Sequence, residues 1–173
     1  MKINIKDIKI FKSKIFYDKR GSFKEVYKKK ILPNKKFIFD CVSNSKKNVL
    51  RGLHLQTKNH QAKFLTVIKG KIFDVIVDLR KNSKTFGKYY SIYLSNKSYN
   101  SIYIPKGFAH GFYCLNKENI IYYKCSNYRE EIYETGISWN DKDLNINWPT
   151  KNPIISNKDS KNFSFKEYCK IFI

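Results

Sequence analysis

No apolar run in this 173-residue chain approaches the roughly 20 residues that a bilayer-spanning helix needs. No cleavable leader is evident either, since the first ten residues, MKINIKDIKI, nearly alternate apolar with polar. The expectation is a soluble, cytoplasmic protein with no membrane partner. Cysteine is sparse and unpatterned: Cys41, Cys114, Cys125 and Cys169 show no C-x-x-C spacing, which argues against a disulfide framework. Histidine is sparser still, with three residues and no H-x-H pair. A metal in a small β-barrel needs three or four convergent donors, usually an H-x-H pair with a downstream carboxylate, so the expected site is metal-free. That leaves His, Lys, Tyr and Asp for acid–base work.

Acidic residues are also few, 14 Asp+Glu against 35 Lys+Arg, giving a net charge of +21. The excess invites a nucleic-acid reading, yet arginine is almost missing from it: Arg20, Arg51, Arg80 and Arg129 are the only four. Base-edge and phosphate recognition favours the planar fork of Arg, clustered on one arm or helix. Here Lys is spread along the chain, and runs such as Lys28-Lys29-Lys30 and Lys46-Lys47 read as solvated turns. No nucleic-acid partner is expected, and a polyanion-binding module is the remote alternative. What the chain does have is 42% hydrophobic and 16% aromatic residues, which removes intrinsic disorder despite the charge. Its length suits one domain, residues 1–173, burying about two-thirds of its unfolded surface.

From about 37 to 139 the text is short runs of Ile, Val, Tyr and Phe broken by Gly, Pro or Asn-Lys turns: KFLTVI, KIFDVIVDL, YYSIYL, SIYI, IIYYKC. Such spacing predicts an all-β sandwich or jelly roll. Helical periodicity is weak, with short turns expected near 57–63 and in the last dozen residues. The segment from about 140 to 173 reads as a loop followed by that short helix, with Trp139 and Trp148 available to pin it to the body. An N-terminal segment, residues 2–17, reads as strand long enough to pair with another sheet edge, as in a dimer.

Two histidines stand in specific company. On a strand, His54 in NVLRGLHLQ faces the same side as Gln56, and Arg51 joins them only if Gly52 marks a bulge. His110, in IPKGFAHGFYCL, has a collar of small residues that suits either a close ligand or a tight bend. Asp74, in KIFDVIVDL, opposes the Phe73, Val75 and Val77 face; it either orients Lys63 or His110 or faces solvent.

The strings RGLHLQ, AKFLTVIKGKIFDVIVDLRKNSKTFGKY, IPKGFAHGF, YYKCSNY, SWND and INWPTKNPIISNKD, in that order, resemble the dTDP-4-dehydrorhamnose 3,5-epimerase family from about residue 18 to Asp159. The resemblance implies a metal-free, cofactor-independent cupin-type jelly roll with short terminal helices. It also implies a homodimer, with about residues 1–36 available for exchange, and a nucleotide-sugar substrate epimerised on either side of a 4-keto group. His54 falls on the general base, Asp159 on its carboxylate partner, Tyr123 on the acid of the opposite face and Lys63 on the lysine near the keto oxygen. His110, Arg51, Tyr128, Glu134 and Lys158 fall at or beside ligand-contacting positions, and Arg20 and Glu25 on residues that reach the ligand in part across the dimer interface. The chain departs from the family just upstream, where Phe39 and Cys41 replace an expected Gln and Asn, and at Arg129, where another aromatic is usual. dTDP is therefore the default nucleotide with GDP as the alternative, and C3-only epimerisation or 3,4-ketoisomerisation is the alternative reaction.

Overall fold

The computed structural model describes residues 7–98 and 100–173. The short apolar runs become two five-stranded antiparallel sheets facing each other. The first has the order β1 (Lys9–Phe11), β9 (Ser101–Ile104), β6 (Lys63–Lys69), β11 (Glu118–Cys125), β4 (Phe39–Lys46). The second has the order β12 (Glu134–Gly136), β5 (Leu50–Gln56), β10 (Phe108–Cys114), β7 (Lys71–Asp78), β8 (Tyr89–Ser95). A separate hairpin joins β2 (Ile15–Asp18) to β3 (Gly21–Lys24). Successive strands mostly cross between the sheets, which makes the architecture the expected jelly roll of the cupin type.

Three apolar layers hold it together. Ile72 and Ile76 on β7 meet Leu65, Val67 and Ile121 of the first sheet in the space between the sheets. The alternate residues Phe73, Val75 and Val77 point outward, where the tail covers them with Leu144, Trp148 and Tyr168. A strand buried on both faces needs no polar alternation, which is why β7 reads as a near-continuous apolar run. The Trp148 ring lies 5.8 Å from Phe73 and its indole N–H donates to the Trp139 carbonyl at 2.7 Å, so both tryptophans pin the tail as expected. On the outer face of the first sheet, Phe64 and Tyr103 pack under Phe11, Tyr27 and Phe37. Burying a Phe of this kind contributes about 1.5–3 kcal/mol.

Two local expectations are corrected. Residues 57–59 bend and 60–62 run irregularly, with no helical turn. Gln61 donates to Asn127 O, the Asn127 side chain donates to Asn59 O and His60 O, and the Asn59 side chain donates to Glu130, which together tie the segment to 127–130. The N-terminal segment is not one strand: residues 2–6 lie outside the described residues, and the rest divides into β1 and β2. Between them the Ser13 amide donates to Asn100 Oδ1 at 2.9 Å, and β1 pairs with β9 of its own chain. The C-terminal helix α1 (Phe165–Phe172) is present, opened by a capping box in which Ser164 and Glu167 bond each other's backbone amides.

Candidate active site

The inward-facing side chains of the two sheets do not fill the sandwich completely. A cavity of about 580 Å³ remains, and His54, Lys63, Arg51, His110, Tyr123, Glu134, Lys158 and Asp159 all line it. This size suits a small-molecule site. A larger, more open cleft of about 990 Å³ is edged by Lys46, Lys47, Lys69, Lys97 and Lys117 and carries no histidine.

The bulge at Gly52 decides the site's geometry. On β10, His110 pairs with His54 but Phe112 pairs with Arg51, so three residues of β5 span two of β10. Gly52 has φ +126°, and a Cβ there would lie 2.5 Å from Gly111 Cα, so the two backbones touch where only glycine fits. The extra residue reverses the parity of β5, and Arg51 and His54 line the same cavity. Arg51 Nε donates to Ser45 Oγ at 2.9 Å.

His54 Nε2 lies 2.6 Å from Asp159 Oδ1. Asp159, only 4% exposed, also accepts from the Gly52 amide through Oδ2 at 3.2 Å. Burial by itself would raise this carboxyl, but the hydrogen bond and charge of His54, the Gly52 amide and Ser156 outweigh it and hold it below the ordinary carboxylate range. An ionised Asp159 only accepts, so the Nε2 proton belongs to His54 and the Nδ1 lone pair is left free. The pair joins β5 to the short 3-10 turn Asp159–Lys161, 105 residues away in sequence.

A second pair lies beside it. His110 and Asp74 are both buried and bonded at 2.7 Å between Nε2 and Oδ2. Of the two readings of Asp74, the structure selects orientation of His110, because its position on β7 faces the space between the sheets. Tyr123, on β11, is half-buried and lines the cavity, its hydroxyl 3.1 Å from Ser43 Oγ. Burial, helped by the charges of Asp74 and Cys41 and opposed by Ser43 and Arg51, holds the phenol protonated far above its usual range. Lys63 begins β6 opposite Cys125. Among the described residues no hydrogen bond or ion pair ties down its ammonium, which is therefore available to a ligand anion.

At the rim, Glu134 joins two cations, Arg129 at 2.8 Å and Lys158. The Arg129 hydrogen bond leads a set of contacts that draw the Glu134 carboxyl down to about 2. Tyr128 does not line the cavity; it is 63% exposed, with its ring 6.3 Å from that of Phe39, which does. Arg20 and Glu25 are not brought to the cavity within this chain. Arg20 is exposed and pairs with Asp18 in the β2–β3 hairpin, and Glu25 pairs with Lys28 at 2.5 Å. Sequence reading passed over Ser43 and Ser45, which hold Tyr123 and Arg51. The signal was the period of two along β4, which puts Phe39, Cys41, Ser43 and Ser45 on one face. Among the described residues no three His, Cys, Asp or Glu converge as metal ligands would, and no helix is long and apolar enough to cross a membrane.

Comparison with known proteins identifies the family. The family model described as dTDP-4-dehydrorhamnose 3,5-epimerase matches residues 2–167. The dTDP-4-dehydrorhamnose 3,5-epimerase of Shigella flexneri is 42% identical over 165 residues, covering 92% of this chain and 91% of its own. That of Methanothermobacter thermautotrophicus is 42% identical over 157 residues, covering 87% and 85%. Among solved structures, the dTDP-6-deoxy-D-glucose-3,5-epimerase of Legionella pneumophila Philadelphia 1, in complex with dTDP-4-keto-L-rhamnose, superposes with a TM-score of 0.89 at 37% identity, covering 96% of this chain and 92% of that one. With a match running nearly the whole chain at such identities, on the same fold, the chain belongs to the dTDP-4-dehydrorhamnose 3,5-epimerase family.

Proposed function

We propose that this protein converts dTDP-4-dehydro-6-deoxyglucose to dTDP-4-dehydrorhamnose by epimerising C3 and C5, without metal or cofactor, with His54 as base and Tyr123 as acid. The observation that carries the reading is one cavity lined by a carboxylate-oriented imidazole, a phenol held protonated and a lysine without a partner among the described residues. Protons beside a 4-keto group are acidic only because the carbonyl oxygen takes up the charge as an enolate. Lys63, with His110 nearby, supplies positive charge and a hydrogen-bond donor for that oxygen. His54 Nδ1 removes the proton from one face while Asp159 stabilises the imidazolium that results. Tyr123 delivers a proton to the other face, and its buried hydroxyl keeps that proton until the enolate demands it. Each proton-transfer partner commonly contributes about 10²–10⁴-fold in rate. Arg51, Arg129 and Lys158 give the cavity the positive edge that a nucleoside diphosphate needs, with Glu134 holding the last two in place.

The chain is further proposed to work in the cytoplasm as one domain and as a homodimer, with no nucleic-acid or membrane partner. Phe16, Tyr17 and Phe23 stand exposed on the β2–β3 hairpin, which supports a partner copy covering them and gives Arg20 and Glu25 a route to the partner's cavity.

The test is proton NMR in D2O with dTDP-4-keto-6-deoxyglucose. Deuterium is expected at both C3 and C5, and His54→Ala should lose both exchanges. Deuterium at C3 alone would reassign the protein as a C3 epimerase. Exchange only with the GDP-linked sugar would keep the chemistry and change the nucleotide, as the presence of Phe39, Cys41 and Arg129 in the cavity allows.

A further inference from the structure

Besides the proton-transfer set, the cavity holds two thiols that the proposed chemistry does not use. Cys41 on β4 is paired with Tyr123, and Cys125 on β11 is one step along, between Phe39 on one side and Lys63 on the other. Equal parity puts both on the cavity face, and both line it. The register sets the two thiols diagonally across the β4–β11 pair, with Cys125 the neighbour of Cys41 on the cavity face. The neighbouring Cys125 thiol, opposed by burial and by Asp40 and assisted by the charges of Lys63 and Arg129, draws the Cys41 thiol down to about 7. The nearness of Cys41, together with burial, pushes the Cys125 thiol up. Cys41 is half-buried and Cys125 buried. A reachable sulfur beside cations, with a second, protonated thiol as its neighbour across the strand pair, is the arrangement of an attacking and a resolving cysteine.

We propose that Cys41 is a site of reversible covalent thiol modification inside the cavity, with Cys125 as its resolving partner, and that modification of Cys41 and occupancy by nucleotide exclude each other. The co-reactant is a low-molecular-weight disulfide such as oxidised glutathione. The Cys41 thiolate attacks one of its sulfurs, the disulfide bond breaks, and one glutathione leaves as a thiolate that takes up a proton. The Cys125 sulfur then attacks Cys41, displaces the second glutathione and gives up its own proton. The net change is two cysteine thiols oxidised to one disulfide and one glutathione disulfide reduced to two thiols. While the adduct is in place it fills volume that a ligand needs, because Cys41 lines the cavity wall. The choice of dTDP as probe rests on the proposed function; the thiol chemistry does not.

The experiment uses the full-length protein, limiting iodoacetamide at pH 7 and peptide mapping by mass spectrometry. Cys169 is the internal reference, because it is also half-buried but burial and Asp141 push its thiol up. Cys41 is expected to alkylate about fivefold or more faster than Cys169, the gain in thiolate being partly offset by lower nucleophilicity. dTDP at about ten times its Kd, measured separately by calorimetry, should slow Cys41 about tenfold and leave Cys169 unchanged. Oxidised glutathione should yield first a Cys41 adduct and then a Cys41–Cys125 cross-linked peptide lacking two hydrogens, reversed by dithiothreitol; Cys125→Ala should stop at the adduct. Equal labelling of Cys41 and Cys169, failure to find the cross-linked peptide, or unchanged Cys41 labelling in dTDP-saturated protein overturns the proposal. If calorimetry shows no dTDP binding, the nucleotide assignment fails, while the labelling ratio and the cross-link still decide the thiol chemistry.

Discussion

Asp159 and Tyr123 do opposite work with the same physical means, burial modulated by one or two contacts. Asp159 is buried yet ionised because His54 and the Gly52 amide both point protons at it. Asp159→Asn keeps an acceptor for Gly52 but removes the charge that stabilises imidazolium and fixes the tautomer. We expect kcat for epimerisation to fall about 10²–10⁴-fold with KM little changed, read by steady-state kinetics. Tyr123 is half-buried, and its hydroxyl is held neutral. Tyr123→Phe should leave His54 able to exchange protons on its own face while no acid serves the other. Deuterium should still enter from solvent while inversion slows about 10²–10⁴-fold, and NMR that follows exchange and epimerisation together separates the two. Equal loss of both would show that Tyr123 acts before proton abstraction rather than after it.

At the scale of elements, the β5–β10 crossing is the position where the fold and the site depend on the same atoms. In Gly52→Ala a methyl group would meet Gly111 Cα at 2.5 Å and the His110 carbonyl at 2.8 Å, in a backbone conformation that disfavours any side chain. A loss of about 2 kcal/mol or more in stability is expected, together with reduced activity, because Arg51 and His54 share the cavity only through that bulge. Thermal unfolding and kinetics of the purified variant check both. The turn after β7 carries a second electrostatic device. The buried Asp78 accepts from Arg80, Ser83 and Thr85, and Arg80 stacks 4.4 Å from the Phe108 ring centroid. Burial alone would raise the Asp78 carboxyl, but these donors lower it to about 2. Its folded pKa is thus below the usual 3.8 of the unfolded chain, so its stabilisation is complete above about pH 4 and is lost as pH falls toward 2. The contribution is about 2 kcal/mol, and Asp78→Asn should flatten that part of the acid-unfolding curve followed by circular dichroism.

For the whole molecule, the question is what covers the aromatic hairpin. A homodimer should be seen by light scattering after size exclusion, and the double substitution Phe16→Ser, Phe23→Ser should shift it toward monomer without unfolding the sandwich. The hairpin contributes nothing to the three buried layers, which is why it can be altered separately. The net charge of +21 is dispersed among lysines rather than gathered on one arm, so RNA binding that falls steeply with salt is not expected in a filter-binding assay.

The strands were legible because alternation and turn residues are local: KFLTVI, KIFDVIVDL, YYSIYL and SIYI became β6, β7, β8 and β9 with no end shifted by more than one residue. Most of the residues that line the cavity were legible in ordered motifs, and the bulge at Gly52 as a parity conflict between Arg51 and His54. Sequence alone could not show that 57–62 stays irregular rather than coiling, because the partners that hold it come from 127–130. Nor could it choose between a solvent-facing and a buried Asp74, since that depends on which faces of β7 the rest of the chain covers. The serines behind Tyr123 and Arg51, and the thiol pair beside Lys63, became visible only once β4, β6 and β11 were paired in register. Local pattern determined the elements and the kinds of chemistry available, whereas cross-strand pairing between distant segments decided which groups meet and so which protons are held or released.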